Sequence, residues 1–338
     1  MVTIQDIANK SGVAMSTVSR ALADSPKISV KTKERIKKMA QDMGYTPNFA
    51  ARNLTQRESN TVGVVFQPQA VGSAENDFAM QLLFGINSQL VARQYLLTTA
   101  TGSNWSEVYN AVKMMVEAGQ VRRFILLYTV ENDPISELLR ENNARVVVTG
   151  EPEQAHHVLY VDNDNRRAGE EATRQLVDQF NLKAPLFVRT VADWRYERNR
   201  EIGFHIAQPE GQILSLPIDF QAQKQVLKHY FELHPEIDGI VASDDKIGYL
   251  ARHQAQAHLP THPKLPTIAF NHSEYARLGG EDFYSVDVLP RSLGSEAVRL
   301  LFNDQRSVLE QTKATSVIVK YRLPEFGGEP LNRMIPND

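Results

Sequence analysis

The sequence predicts a small α-helical head followed by an α/β body of two doubly wound lobes with parallel sheets. Three observations predict it. Charge is unevenly spread: residues 1–60 carry ten Lys/Arg against five Asp/Glu, leaving 27 against 35 for the rest of the 338 residues, so a head of net +5 precedes a body of net −8. Apolar residues recur at helical spacing up to about residue 45, and from Thr61 the pattern changes to short apolar runs separated by helical stretches. The length exceeds what one core serves, and 42% hydrophobic residues suffice to fill two or three domains.

Within the head, Thr3 and Asp6 form a capping pair, and Ile4, Ile7 and Ala8 then follow at helical spacing until Gly12. Beyond the break at Ser11-Gly12-Val13, the run from Ser16 to Leu22 reads as a second short helix with Val18, Ala21 and Leu22 on one face. Two helices across so short a turn make a helix-turn-helix. Ser29 precedes a third, bracing helix with Ile36, Met39, Ala40 and Met43 on one face, five basic residues on the other and Gly44 as its stop. In such a unit the second helix enters the major groove, so Met15, Ser16 and Thr17 are placed to read bases. Thr17 and Ser19 suit phosphate oxygens, and Arg20 suits guanine or a phosphate. A solvated polar face on an ordinary three-helix bundle would explain any one of these residues, but it fits the whole arrangement poorly.

Residues Val2–Ala8, Ser11-Gly12-Val13, Ser16–Arg20, Gly44-Tyr45-Thr46-Pro47-Asn48, Ala50-Ala51-Arg52 and Leu54 closely resemble, in this order, the lactose/galactose repressor (LacI/GalR) family. One departure is Ala14, where the family has a serine that caps the reading helix; loss of such a cap costs roughly 1 kcal/mol. The resemblance implies a helix-turn-helix domain over 1–45 and a hinge helix over 46–60, ordered on operator DNA, with Leu54 wedged into the minor groove. Thr3, Asn48 and Ala51 join the DNA contacts on the same ground. Taken without the family, residues 46–60 read as a plain linker.

For the body, strands are expected at Thr61–Phe66, Tyr95–Ala100, Arg123–Tyr128, Arg145–Thr149, Val158–Val161, Pro185–Val188, Gln212–Leu216, Gly239–Ala242 and Thr267–Phe270. Helices carry periodic sets such as Phe78, Leu82, Ile86, Leu90 and Val108, Val112, Met115, Val116. Nine such units exceed one ordinary sheet, which gives two lobes of the periplasmic-binding-protein kind with a cleft at the strand carboxyl ends. Crossings near 161, 289 and 318 assign 61–161 and 289–317 to an N-lobe, 162–288 and 318–330 to a C-lobe, and 331–338 to a tail without a coiled-coil heptad. A homodimer on a palindromic operator is expected.

Polar residues just past strands are the ligand candidates: Asp162 to Asn165, Ser243 to Asp245, Asn271, and the run Asp193–Arg200 ahead of a helix at the cleft rim. Trp194 could stack on a sugar ring, and carboxylates, amides and arginine suit its hydroxyls. By position in the family, Asp162, Arg200, Asp244 and Asn271 fall on effector contacts and Asn76 with Phe78 on the first-lobe wall; Asp164, Asn165 and Asp245 read more simply as caps or turns. The run Val161–Asn165 with Ala168-Gly169 resembles the maltose-responsive branch of the family, which implies maltose or an α-glucoside as effector; a purine corepressor stays open.

The chain has no cysteine, no coherent histidine spacing for a metal and no hydrolase, nucleotide-loop or zinc-protease motif, so neither an enzyme nor a cofactor is expected. No signal peptide or membrane span is read, which excludes an exported transport protein and leads to an expected cytoplasmic location.

Overall fold

The computed structural model describes residues 2–22, 24–45, 59–68, 77–130, 132–153, 158–259, 265–303 and 316–326. Asn48, Ala51, Leu54, Asn76 and the tail 331–338 lie outside the described residues. The chain divides into two compact units, Met1–Glu58 and Ser59–Asp338.

The head has three helices, α1 (Ile4–Ser11), α2 (Met15–Leu22) and α3 (Val30–Asp42). Thr3 caps α1: its hydroxyl accepts from the Asp6 amide, and the Asp6 carboxylate accepts from the Thr3 amide at 2.9 Å. Gly12 turns the chain at φ 70, a left-handed conformation that glycine adopts without a Cβ penalty. Helix α3 starts on Ser29 and stops at Gly44 (φ 65), where the Gly44 and Tyr45 amides donate back to Gln41 and Ala40. Ile7, Ala8, Val18, Ala21, Ile36 and Ala40 form the buried core. Met39 and Met43 pack against that core from partly exposed positions.

In the body, eleven strands are found among the described residues, all parallel, in two sheets ordered β11-β5-β4-β3-β1-β2 and β10-β9-β8-β6-β7. The first sheet comprises β1 (Thr61–Val65), β2 (Leu96–Ala100), β3 (Arg123–Leu126), β4 (Arg145–Thr149), β5 (Leu159–Asn163) and β11 (Ser316–Val319). The second comprises β6 (Pro185–Thr190), β7 (Gln212–Leu216), β8 (Gly239–Ala242), β9 (Thr267–Phe270) and β10 (Phe283–Val286). Helices α4 (Asp77–Ala92), α5 (Trp105–Glu117), α6 (Pro134–Glu141) and α12 (Pro290–Leu301) flank the first sheet. Helices α7 (Asn165–Phe180), α8 (Arg195–Ala207), α9 (Phe220–Leu233), α10 (Asp245–His258) and α11 (Glu274–Gly279) belong to the second. Both sheets repeat one winding: the second strand lies outside the first, and the following strands lie on its other side. Each lobe therefore has a topological switch point, between β1 and β3 and between β6 and β8.

Two strands were not expected from the sequence, β10 and β11, each four residues long. Strand β5 outlasts its expected end at Val161 and runs to Asn163, and β11 runs to Val319, just past the crossing expected near 318. Ser59 and Asn60, assigned to the hinge from sequence, are buried in the body, where the Ser59 amide donates to the Gln120 carbonyl and the Asn60 carbonyl accepts from Leu96.

Three chain passages join the lobes, and one side chain holds them together. The buried Asn163 amide donates to the carbonyls of Val288 (3.1 Å) and Val319 (3.0 Å), so the first passage is bonded to the second and third. Asp287 and Arg322 form an antiparallel bridge between the last two. In each lobe two helices meet backbone to backbone. A Cβ on Gly85 of α4 would lie 2.0 Å from the Arg291 carbonyl of α12, and one on Gly203 of α8 would lie 2.2 Å from the Arg166 carbonyl of α7.

Candidate functional site

On the head, the first turn of α2 leaves Met15 and Ser16 exposed and Thr17 half-exposed, with Ser19 and Arg20 exposed further along the same helix. Val18 and Ala21 hold the opposite side of α2 in the core. Ala14 stands where the cap would be and offers only its backbone carbonyl, to the amides of Thr17 and Val18. Thr3 is exposed, and its hydroxyl is engaged with Asp6 as a cap.

On the body, polar side chains converge where β5, β6 and β8 end. Asp162 is buried; one oxygen accepts from the Glu151 amide at 2.9 Å, the other from the Asn163 amide at 2.8 Å and the Asn165 side chain at 3.0 Å. Asn165 accepts in turn from Arg200 Nε at 2.9 Å, and Arg200 Nη1 donates to the Ser243 carbonyl at 2.5 Å. The Arg200 guanidinium lies over Phe270, 4.2 Å from the ring centroid, and over Tyr196 at 4.9 Å, a placement that favours the cation. Glu197 is fully buried and accepts from the Thr190 amide and hydroxyl at the end of β6, the Ser243 hydroxyl after β8 and the Trp194 amide at the start of α8. It thus bridges the switch point of the second lobe.

Burial governs the electrostatics. It pushes the Asp162 carboxyl up to about 6, against the pull of two backbone amides and Arg200. It also raises Glu197 and Asp244 and lowers Arg200 from their ordinary values. Asp245 is raised to about 7 although it accepts from Ser285 Oγ at 2.6 Å and the Ser273 amide at 2.7 Å.

The expected residues separate accordingly. Asp162, Arg200 and Asp244 come together, with Trp194 linked to them through Glu197 and Ser243. Asp244 is half-buried and caps α10 by accepting from the Ile247 amide at 2.9 Å. Asp164 caps α7, as read from the sequence. Asn165 and Asp245 do not serve as simple caps or turn residues: both are buried first residues of their helices whose side chains turn inward to partners far along the chain. The run Asp193–Arg200, expected ahead of a helix, enters α8 at Arg195, so Arg200 is raised into the network by a helical turn. Asn271 follows β9 in a left-handed conformation (φ 100) with its amide bonded to Val286. Phe78 packs against the cores of both lobes. Asn163, Asn165, Glu197 and Ser243 lie within the polar runs read from the sequence as ligand candidates, but Asn163, Glu197 and Ser243 were given no individual role and Asn165 was read as a cap or turn residue.

An open cleft of about 480 Å³ joins the lobes, lined by Thr129 and Val130 beyond β3, Glu153 beyond β4, and Ala192, Asp193, Trp194, Arg195 and Arg198 around the start of α8. A larger hollow, about 630 Å³, lies over the charged residues at the start of α7 and takes in, of the polar runs read from the sequence, only the helix cap Asp164. Physical placement favours the smaller one as the ligand entrance, because it opens at the carboxyl ends of strands from both sheets.

Residues 3–48 match the model of bacterial regulatory proteins of the lacI family. The head belongs to that family. Beyond this lacI-family head the similarity extends along the chain: the transcriptional regulator MalR of Staphylococcus xylosus is 29% identical over 90% of this chain and 91% of its own length. A solved CelR–cellobiose complex shares the fold with a TM-score of 0.67 at 20% identity, covering 96% of this chain and 99% of its own. The lac repressor dimer bound to operator and an anti-inducer does so with a TM-score of 0.66 at 17% identity, covering 96% and 98%. The two-lobed parallel-sheet body is thus the fold of lacI-family regulators as well.

Proposed function

We propose that this chain is a homodimeric transcriptional repressor that binds a palindromic operator through α2 and the segment 46–58, and whose operator affinity is set by a neutral glucose disaccharide held between the lobes. The observation that carries the reading is a lacI-family head on a body in which Asp162, Asn165 and Arg200 form a buried polar chain at the strand ends, and whose inter-lobe cleft is lined by Trp194 and the start of α8. Met15, Ser16 and Thr17 read base edges, Arg20 and Ser19 hold phosphates, and Leu54 with Asn48 and Ala51 acts in the minor groove. In the cleft, Asp162, Asp244, Asn271 and Arg200 bond hydroxyls, and Trp194 and Phe78, with Asn76, supply the wall.

Maltose or a related α-glucoside is the first choice, supported by the similarity to MalR; the CelR–cellobiose complex makes a β-linked glucose disaccharide the second. Ligand in the cleft shifts the lobe angle through the three passages tied at Asn163 and so alters operator affinity. Selection of binding sites from random duplex DNA by the full chain, followed by titration of the selected site with maltose, cellobiose, glucose and hypoxanthine, tests both halves. Failure to enrich any palindrome overturns the DNA reading, and a response to hypoxanthine alone overturns the sugar.

A further inference from the structure

The rim of the inter-lobe cleft carries two guanidiniums that are already occupied. Arg195 and Arg198 stand on the first turn of α8 in the second lobe, and the loop after β4 in the first lobe brings Glu151 and Glu153 to meet them. Arg195 donates to Glu151 at 3.3 Å and to Glu153 at 3.0 Å, Arg198 pairs with Glu153, and Asn199 donates to Glu151 at 2.8 Å. Asp193 takes the remaining face of Arg198 at 2.7 Å. Three carboxylates therefore surround two guanidiniums at the mouth of the cleft. A phosphate or carboxylate ligand is recognised by just such planar donors when they are free. Here it would have to displace carboxylates fixed to the opposite lobe, whereas an uncharged hydroxyl meets no such competition. Deeper in, Arg200 is committed to Asn165 and the Ser243 carbonyl and lies in the field of Asp162 and Asp244.

We propose that Glu151 and Glu153 are specificity determinants: they occupy the rim guanidiniums as internal anions, so that the cleft takes uncharged ligands and refuses phosphorylated sugars. The inference rests on the cleft being the effector site. Titration calorimetry of the full chain with inorganic phosphate, glucose 6-phosphate and maltose tests it on the wild type, on E151Q/E153Q, and on that variant with R195Q/R198Q added. The wild type should ignore both phosphates. E151Q/E153Q should bind them at least about tenfold more tightly, the order of one freed charge-assisted fork, and the further arginine changes should remove the gain. Equal phosphate binding by wild type and E151Q/E153Q, or a gain that survives R195Q/R198Q, overturns the proposal. The maltose arm is read separately: loss of maltose binding in the wild type with the phosphate gain intact removes the disaccharide and leaves the specificity role standing. Should E151Q/E153Q melt without cooperativity, the single change Glu153→Gln, which leaves Arg195 with Glu151 and Arg198 with Asp193, carries the same test with a smaller gain.

Discussion

Asp245 offers a prediction whose sign runs against the usual behaviour of acids in proteins. Its carboxyl is 1% exposed and is raised from an ordinary 3.8 to about 7, chiefly by burial. Between about pH 4 and pH 7 the folded chain therefore holds a proton that the unfolded chain has released, and stability falls as pH rises through that window, then levels off. The full difference corresponds to about 4 kcal/mol above pH 7, and water access with local relaxation should leave about 2 kcal/mol of it measurable. Asp245→Asn removes the titration while keeping the shape. Its amide oxygen can still accept from the Ser273 amide, and its NH2 can donate to Ser285 Oγ, which already takes the His272 amide. Urea unfolding of wild type and D245N across about pH 4 to 8 should give a stability difference that moves in favour of the variant by about 2 kcal/mol over this range. Asp162 and Glu197 titrate in both proteins and cancel in the comparison. A difference that stays flat with pH, or moves toward the wild type, refutes the assignment of a buried proton to Asp245.

Other expectations follow from the same geometry. Arg20→Ala should weaken operator binding and reduce the salt slope by about one, read by fluorescence anisotropy at several salt concentrations; unchanged binding would mean that the reading helix is wrongly placed. Arg200→Ala strips Asn165 and the Ser243 carbonyl of their donor, and should leave operator binding while abolishing the sugar response. Ala14→Ser restores a side-chain acceptor at the start of α2 and should stabilise the head by about 1 kcal/mol, visible as slower amide exchange in α2. Asn163→Ala leaves the carbonyls of Val288 and Val319 without their common donor and should cost about 1–3 kcal/mol in body stability, with a weaker coupling between sugar and DNA.

The winding of both lobes was legible because parallel strands buried on both faces read as unbroken apolar runs, as in Thr61–Val65 or Gly239–Ala242. Strand β10 escaped because Ser285, turned toward Asp245, interrupts the apolar pattern of a four-residue strand that follows Gly279-Gly280. The site was legible only in part, and the pairs Asp164/Asn165 and Asp244/Asp245 show why. In each pair two similar polar residues follow a strand. The first becomes the N-cap and the second the first helical residue, whose side chain points about a third of a turn away and into the protein. Nothing local distinguishes them. Arg200 lies 35 residues beyond Asn165 and Ser285 lies 40 beyond Asp245, so their partnership is a property of the tertiary fold.

The close approach of Gly85 to α12 bears on how the chain is made. The core of the first lobe includes Leu293, Ala297, Val298 and Leu301 from α12, and its sheet ends on β11. The second sheet, by contrast, is drawn entirely from residues 185–286. A ribosome delivering this protein from its N-terminus therefore releases everything the second lobe needs for its sheet before the first lobe, although begun earlier, can close its own. Until α12 and the last strand emerge, β5 lacks its outer neighbour and α4 its backbone partner, and that half-built lobe is where the nascent chain would first need a chaperone.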